Sequence, residues 1–295
     1  MRIYNQRLIT LFSFLLFFSC FAINVRAAGI PYMDKAKIRI SVAPGNRGYG
    51  EILMENPDVT ERTMRLYLED WYYLPAADGS KEFVAPGTYS RSCAPWITFS
   101  PAEFKIAPFG KQRINYSIKV PEDAVGGYYT ALFFETLFAE AKNPEGEMSV
   151  GIDLRIRVAT LLYIEADGTV KRKAVIDNLK FENNLSSGKV LVKVDFANTG
   201  NVDITADGKF HIMDENGIVC ARGEFNEIYT FPGDKAKLAA SWKKPLSKGK
   251  YDLVATFNLG KALEETGFGR GPMVTKEASI EIGSGGEVLK VGPLE

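Results

Sequence analysis

The sequence is poor in the residues that do chemistry. It holds one histidine, His211, and three cysteines in 295 residues. A nucleophile–histidine–carboxylate site needs a base oriented by an acid. Asp214 and Glu215 lie near His211 in sequence, yet no Gly-x-Ser-x-Gly turn is present. No Cys-x-x-Cys or His-x-x-x-His spacing offers clustered metal ligands. "DITADG" (Asp203 to Gly208) and "DENG" (Asp214 to Gly217) lack the length and closing acid of a calcium loop and read as turns. "GFGRGP" (Gly267 to Pro272) lacks the Lys-Ser/Thr pair of a phosphate loop. The expectation is a non-enzymatic protein with no cofactor and no bound metal.

Long apolar runs are also scarce. The only one, Leu8 to Ala22, follows Arg2 and Arg7 and precedes Val25-Arg26-Ala27, the pattern of a secretory signal peptide over residues 1–27. Cys20 would carry the lipid in a lipoprotein reading, but bulky Phe17 and Phe18 stand where small or branched residues are favoured. No later run reaches the ~20 residues of a membrane span. The expectation is an exported chain with no transmembrane segment. Losing Arg2, Arg7 and Arg26 and no acid takes the formal charge from 0 to −3, so bulk electrostatics gives no reason to bind nucleic acid. Cys93 and Cys220 remain, far apart in sequence; export permits a disulfide without requiring one.

What the chain has in abundance is alternation. "QRINYSIKVP" sets Ile114, Tyr116, Ile118 and Val120 against Arg113, Asn115, Ser117 and Lys119. "TMRLYLEDWYY" puts Met64, Leu66 and Leu68 on one face, Tyr67 and Trp71 on the other. "GGYYTALFFETL" is apolar on both faces, as a central strand covered on two sides would be. No stretch of twelve residues has helical periodicity. About seven strands between residues 36 and 164 predict an immunoglobulin-like domain over 34–166. The charged turn "EADGTVKRKAVID" marks a boundary. After it, "GKVLVKVDFANTGN" and "GKYDLVATFNLG" restart the pattern and predict a second β-sandwich over 168–283, with 284–295 a flexible tail. The fold class is all-β: two immunoglobulin-like antiparallel sandwiches in tandem.

One strand is too long for its place. In "MSVGIDLRIRV", Met148, Val150, Ile152, Leu154, Ile156 and Val158 are apolar, with small or charged residues between them, and the run continues into "ATLLYIEAD". A usual strand is ~5–6 residues. Two uses of that apolar face stand open: the chain's own core, or an overhanging edge that pairs with a partner.

Residues 95–137, "PWITFSPAEFKIAPFGKQRINYSIKVPEDAVGGYYTALFFETL", resemble a pattern of exported bacterial immunoglobulin-like domains. One family with this pattern is the periplasmic pilus-assembly chaperones. There the long last strand of domain one completes an incomplete pilin subunit by β-strand addition. The resemblance implies pilin-like exported subunits as partners, a periplasmic location, and Met148, Val150, Ile152, Leu154 and Ile156 as donor residues. It also implies basic anchors for a subunit's terminal carboxylate, for which Arg39 and Arg157 are the nearest candidates. This chain departs from the family in having Ala159-Thr160 where a basic residue is expected, and Ile164-Glu165-Ala166 in place of Arg-Pro at the junction. The same stretch resembles the peptidoglycan- or partner-binding domain of proteins found beside WxL surface proteins, which would make the chain an envelope binding module.

Overall fold

The structure is a computed structural model and describes residues 29–138, 154–184, 189–242 and 246–295. The leader 1–27 and the candidate donors Met148, Val150 and Ile152 lie outside the described residues.

The alternating segments form the strands they suggest. In the first domain these are β1 (Tyr32–Met33), β2 (Lys37–Val42), β3 (Arg47–Glu55), β4 (Arg62–Tyr73), β5 (Lys81–Val84), β6 (Ile97–Ser100), β7 (Glu103–Ile106), β8 (Lys111–Lys119), β9 (Gly126–Phe138) and β10 (Leu154–Ala166). One sheet runs β1-β3-β8-β6 and the other β2-β10-β9-β4-β5, with β7 also on β4. Ile52 and Met54 of β3 and Ile114 and Ile118 of β8 meet Met64, Leu66, Leu132, Phe134, Leu162 and Ile164 of the facing sheet in a closed core. Each is an alternate residue of its strand, so the period of two in the sequence is the period of burial.

The second domain follows with β11 (Ala174–Asn184), β12 (Lys189–Asn198), β13 (Ile204–Met213), β14 (Val219–Thr230), β15 (Lys235–Trp242), β16 (Gly249–Asn258), β17 (Met273–Ile282) and β18 (Val288–Val291). A three-stranded sheet, β11-β12-β15, packs on a five-stranded one, β14-β13-β16-β17-β18. Val192, Val194 and Phe196 meet Phe210, Ile212, Leu253 and Phe257 between them. The Asp214–Gly217 segment is the turn its residues suggest: Asp214 Oδ1 accepts from the amides of Asn216 and Ile218, both at 2.9 Å. The architecture is therefore all-β, two sandwiches in tandem, antiparallel but for the parallel β2–β10 pair.

The segment 284–295 departs from expectation. It is not a loose tail: β18 pairs with β17, and Glu295 exchanges both backbone hydrogen bonds with Glu277, at 2.9 and 3.0 Å. Val288, Val291 and Leu294 pack on the core of the second domain. Their spacing of three breaks the strand period of two. A register shift makes it work, since Ile282 faces Val288 while Glu281 faces Lys290, leaving Leu289 as an extra, exposed residue.

The other face of the β10-β9-β4 sheet is apolar too, and that face joins the domains. Trp71, Tyr129, Ala131, Phe133, Leu161 and Tyr163 form a second apolar layer that takes in Phe231 of the second domain. The Phe231 ring stacks on Tyr129 at 4.1 Å between centroids and lies 4.9 Å from Trp71 and 4.8 Å from Tyr73. The β4–β5 turn enters the second domain itself. Ala77, held at a left-handed φ of 53°, is buried in that domain's core, and its carbonyl accepts from the Tyr229 amide at 2.9 Å.

Two predictions follow from this layer. Phe231→Ala removes a fully buried ring and should cost about 3–5 kcal/mol. Wild-type urea unfolding should give coincident transitions by tryptophan fluorescence and far-UV circular dichroism. In the variant the two should separate, and an unchanged single transition would show that the domains are joined elsewhere.

Burial also raises the hydroxyl pKa of Tyr73, Tyr129 and Tyr163, and pushes Tyr89, beside Phe231, up to about 12. Such a group keeps its proton in the folded state after the unfolded chain has lost it near pH ~10. Its contribution is complete below that pH and fades as pH rises toward the folded pKa. Tyrosinate absorbance should therefore develop in two steps, exposed tyrosines first, the buried set only with loss of the dichroism signal. A single step in the folded protein would contradict this.

Candidate functional site

The site is the edge strand β10, and its two halves differ. Its inner edge pairs with β9 along its whole length, from Leu154↔Phe138 to Ala166↔Gly126, with no register shift. Its outer edge is covered by β2 only from Leu161 to Ala166, in parallel. Among the described residues no strand pairs with the outer edge from Leu154 to Thr160.

The ladder direction identifies the groups left open. The Leu161 amide donates to the Ala36 carbonyl at 2.9 Å, and the Asp167 amide to Val42 at 3.0 Å, so odd-numbered residues turn their backbone groups outward. Backbone groups alternate along an unbulged strand, so those of Arg155, Arg157 and Ala159 face the open edge. The start of β2 closes this opening at one end, where the Thr160 hydroxyl donates to the Lys35 carbonyl at 2.7 Å. The other end leads toward residues 139–153, outside the described residues.

The faces of this half-strand are equally defined. Val158 leans on the sandwich core and Ala159 on the interdomain layer. Ile156 is half-buried opposite Thr136, and Leu154 begins the strand. Charge at an open edge normally guards it against pairing. Here the arginines lean back across the sheet. Arg157 Nη1 lies 2.9 Å from Glu69 Oε1, with its guanidinium 4.6 Å from the centre of the Phe133 ring, and Arg155 Nη1 lies 3.7 Å from Glu135 Oε1. Both stay about half exposed, so each pair is worth only about 0–1 kcal/mol.

Arg39 has a different setting from the one expected of a carboxylate anchor. It is buried at the domain junction, 5% exposed. Its two terminal nitrogens meet Asp203 of the second domain at 2.9 and 2.6 Å, and it also pairs with Glu165 of β10. Glu165 in turn pairs with Arg172 of the connecting segment. The Arg39 guanidinium lies 4.6 Å from the Tyr163 ring centre. Burial by itself pulls its pKa down, but Asp203 and then Glu165 outweigh burial and hold it above the ordinary value. Its two terminal nitrogens are engaged inside the protein and the side chain is buried, so Arg39 does not present a charge to a partner. Its acidic partners stand 126 and 164 residues away in sequence, so no local pattern announces them. Asp203 stands just before β13; "DITADG" reads as a turn in sequence but is the start of that strand, so nothing in the sequence pointed to Asp203's role.

The remaining sequence candidates fall elsewhere. His211 sits on β13 opposite Arg222 and Val254. Cys93 is buried and Cys220 exposed, and both are free thiols. Burial holds the Cys93 thiol well above its usual pKa. Among the described residues no group of three or more His, Cys, Asp or Glu is placed to hold a metal ion, and no helix is long and apolar enough to cross a membrane.

No protein-family model matches the chain, and no curated protein matches it by sequence. Solved structures do. The class 5 fimbriae chaperone CfaA is 11% identical, with a TM-score of 0.44 over 83% of this chain and 98% of that one. A chain of the Salmonella enterica complex of SafA pilin with the SafB chaperone is 11% identical, with a TM-score of 0.42 over 85% and 97%. A chain of the Acinetobacter baumannii CsuC–CsuE chaperone–tip adhesion subunit complex is 12% identical, with a TM-score of 0.41 over 83% and 97%.

Arg39→Ala should leave Asp203 and Glu165 as buried, under-compensated charges and cost about 3–5 kcal/mol. Chemical denaturation measures this directly. A cost near zero would mean that Arg39 is a free surface group after all.

Proposed function

We propose that this is an exported, non-enzymatic, chaperone-like protein that binds exported subunits of the pilus type at the first domain, by strand pairing along β10. The observation that carries the reading is the half-covered strand: one edge of Leu154–Thr160 is fully paired, and among the described residues no strand pairs with the other. Unpaired amides and carbonyls in a row are a template for an added strand. Met148, Val150, Ile152, Leu154 and Ile156 are the proposed donor residues, because the same apolar alternation continues through them in sequence. The inward lean of Arg155 and Arg157 leaves the edge unguarded. The fixed domain junction supports the reading too, because a strand held on a rigid frame loses less entropy on pairing than a loose one. Arg157, about half exposed beside the open edge, is the proposed anchor for a partner's carboxylate, which would take the place of Glu69.

Two substitutions test the edge apart from the fold. Arg157→Pro removes an amide that faces the open side, so the β9 ladder stays intact and the protein should remain folded, with a stability change of about 1 kcal/mol or less from the exposed ion pair. Val158→Pro removes an amide from the β9 ladder and should destabilise by about 3 kcal/mol or more. In coexpression with exported proteins encoded beside this gene, wild type should copurify with a subunit. Arg157→Pro should lose that subunit while folded, and Leu154→Asp with Ile156→Asp should lose it as well. If the subunit is retained by folded Arg157→Pro, the edge is not the binding surface. Sedimentation of the wild-type protein with purified cell wall would instead support the envelope-module reading.

A further inference from the structure

The second domain carries a different edge, covered by the chain's own residues 284–295. Backbone pairing there runs from Ile282↔Val288 to the doubly bonded Glu277–Glu295 pair, with the Gly292 amide on the Ser279 carbonyl at 2.8 Å. Without this segment β17 would be an edge strand, since β16 pairs only with its other side. The cover is held weakly compared with the strands beneath it. Leu253, Phe257, Ile280 and Ile282 are almost wholly buried, whereas Val288, Val291 and Leu294 only lean on the core from a partly exposed position. A bulge interrupts the ladder, and Gly283, Gly285 and Gly286 on one side and Gly292 on the other give the backbone freedom to swing. Weakly buried, glycine-flanked edge strands belong to the part of a fold that opens first.

We propose that residues 284–295 form a detachable strap, and that the β17 edge beneath it is a strand-accepting surface that takes the same segment from a second copy of this chain. The occupant follows from fit. The one sequence the structure shows seated there aligns Val288 and Val291 across a bulge and sets Leu294 against the same core, a spacing that an ordinary alternating strand does not reproduce. Exchange of an identical element between copies requires no new complementarity, since every contact already exists within one copy. This surface is separate from the open edge of β10, and the proposal does not depend on what binds there.

Hydrogen exchange on the intact protein tests detachment. The amides of Gly292, Glu295 and Glu277 should exchange at least 100-fold faster than those of the β16–β17 ladder; exchange at the same rate as that ladder would overturn the proposal. A labelled peptide of residues 284–295 tests acceptance. It should bind the full-length variant Val291→Asp/Leu294→Asp, whose strap is released, at least tenfold more tightly than wild type, whose edge is occupied. The same peptide carrying both aspartates should bind at least tenfold more weakly than the unmodified peptide. Equal binding to wild type and variant, or equal binding of the two peptides, overturns the proposal. Should the variant fail to fold, the exchange rates on wild type decide.

Discussion

A charged guanidinium buried between two domains cannot stand alone. The cost of removing Arg39 from water is large, and Asp203 from one side and Glu165 from the other offset it with close, charge-assisted hydrogen bonds. The two acids come from different domains, so the ion cluster is satisfied only in one relative placement of the sandwiches. Around it, the aromatic layer of Trp71, Tyr129, Tyr163 and Phe231 excludes water and strengthens the electrostatics. The Asp203 amide donates to the Tyr129 hydroxyl at 2.5 Å, tying the polar and aromatic parts together. The rest of the molecule is arranged about this junction.

The junction also explains the asymmetry of β10. Its second half carries Leu161, Tyr163 and Glu165 into the interface and is covered by β2, which brings Arg39. Its first half extends past both. β2 is six residues long and pairs with β10 only from Leu161 to Ala166, so among the described residues anchoring that end at the junction leaves the outer edge of Leu154–Thr160 without a paired strand. Each sandwich thus has a distinctive strand edge, left open along β10 in the first domain and covered by the chain's own segment along β17 in the second.

Much of this was legible before any coordinates. Ile114, Ile118, Val192 and Val194 are core because they alternate with polar residues. The double-sided apolarity of "GGYYTALFFETL" is the mark of β9, which meets the sandwich core on one face and the interdomain layer on the other. What escaped the sequence depends on distant partners or broken periods. Arg39 reads as a candidate anchor for a partner's carboxylate until Asp203, 164 residues on, is placed beside it. Arg172 reads as part of a solvated charge run, yet it turns inward to Glu165. Residues 284–295 read as glycine-rich and loose because the bulge that aligns Val288 with Val291 has no signature in a single strand.

The sequence by itself determined the all-β class, the strands and the apolar faces, because side-chain alternation is a local property of an extended backbone. The tertiary structure alone decided which edges are open, which charges are spent inside and how the domains are joined. Those outcomes depend on which strands and side chains meet, as Arg39 meets Glu165 and Asp203 from 126 and 164 positions away, and no local period encodes them.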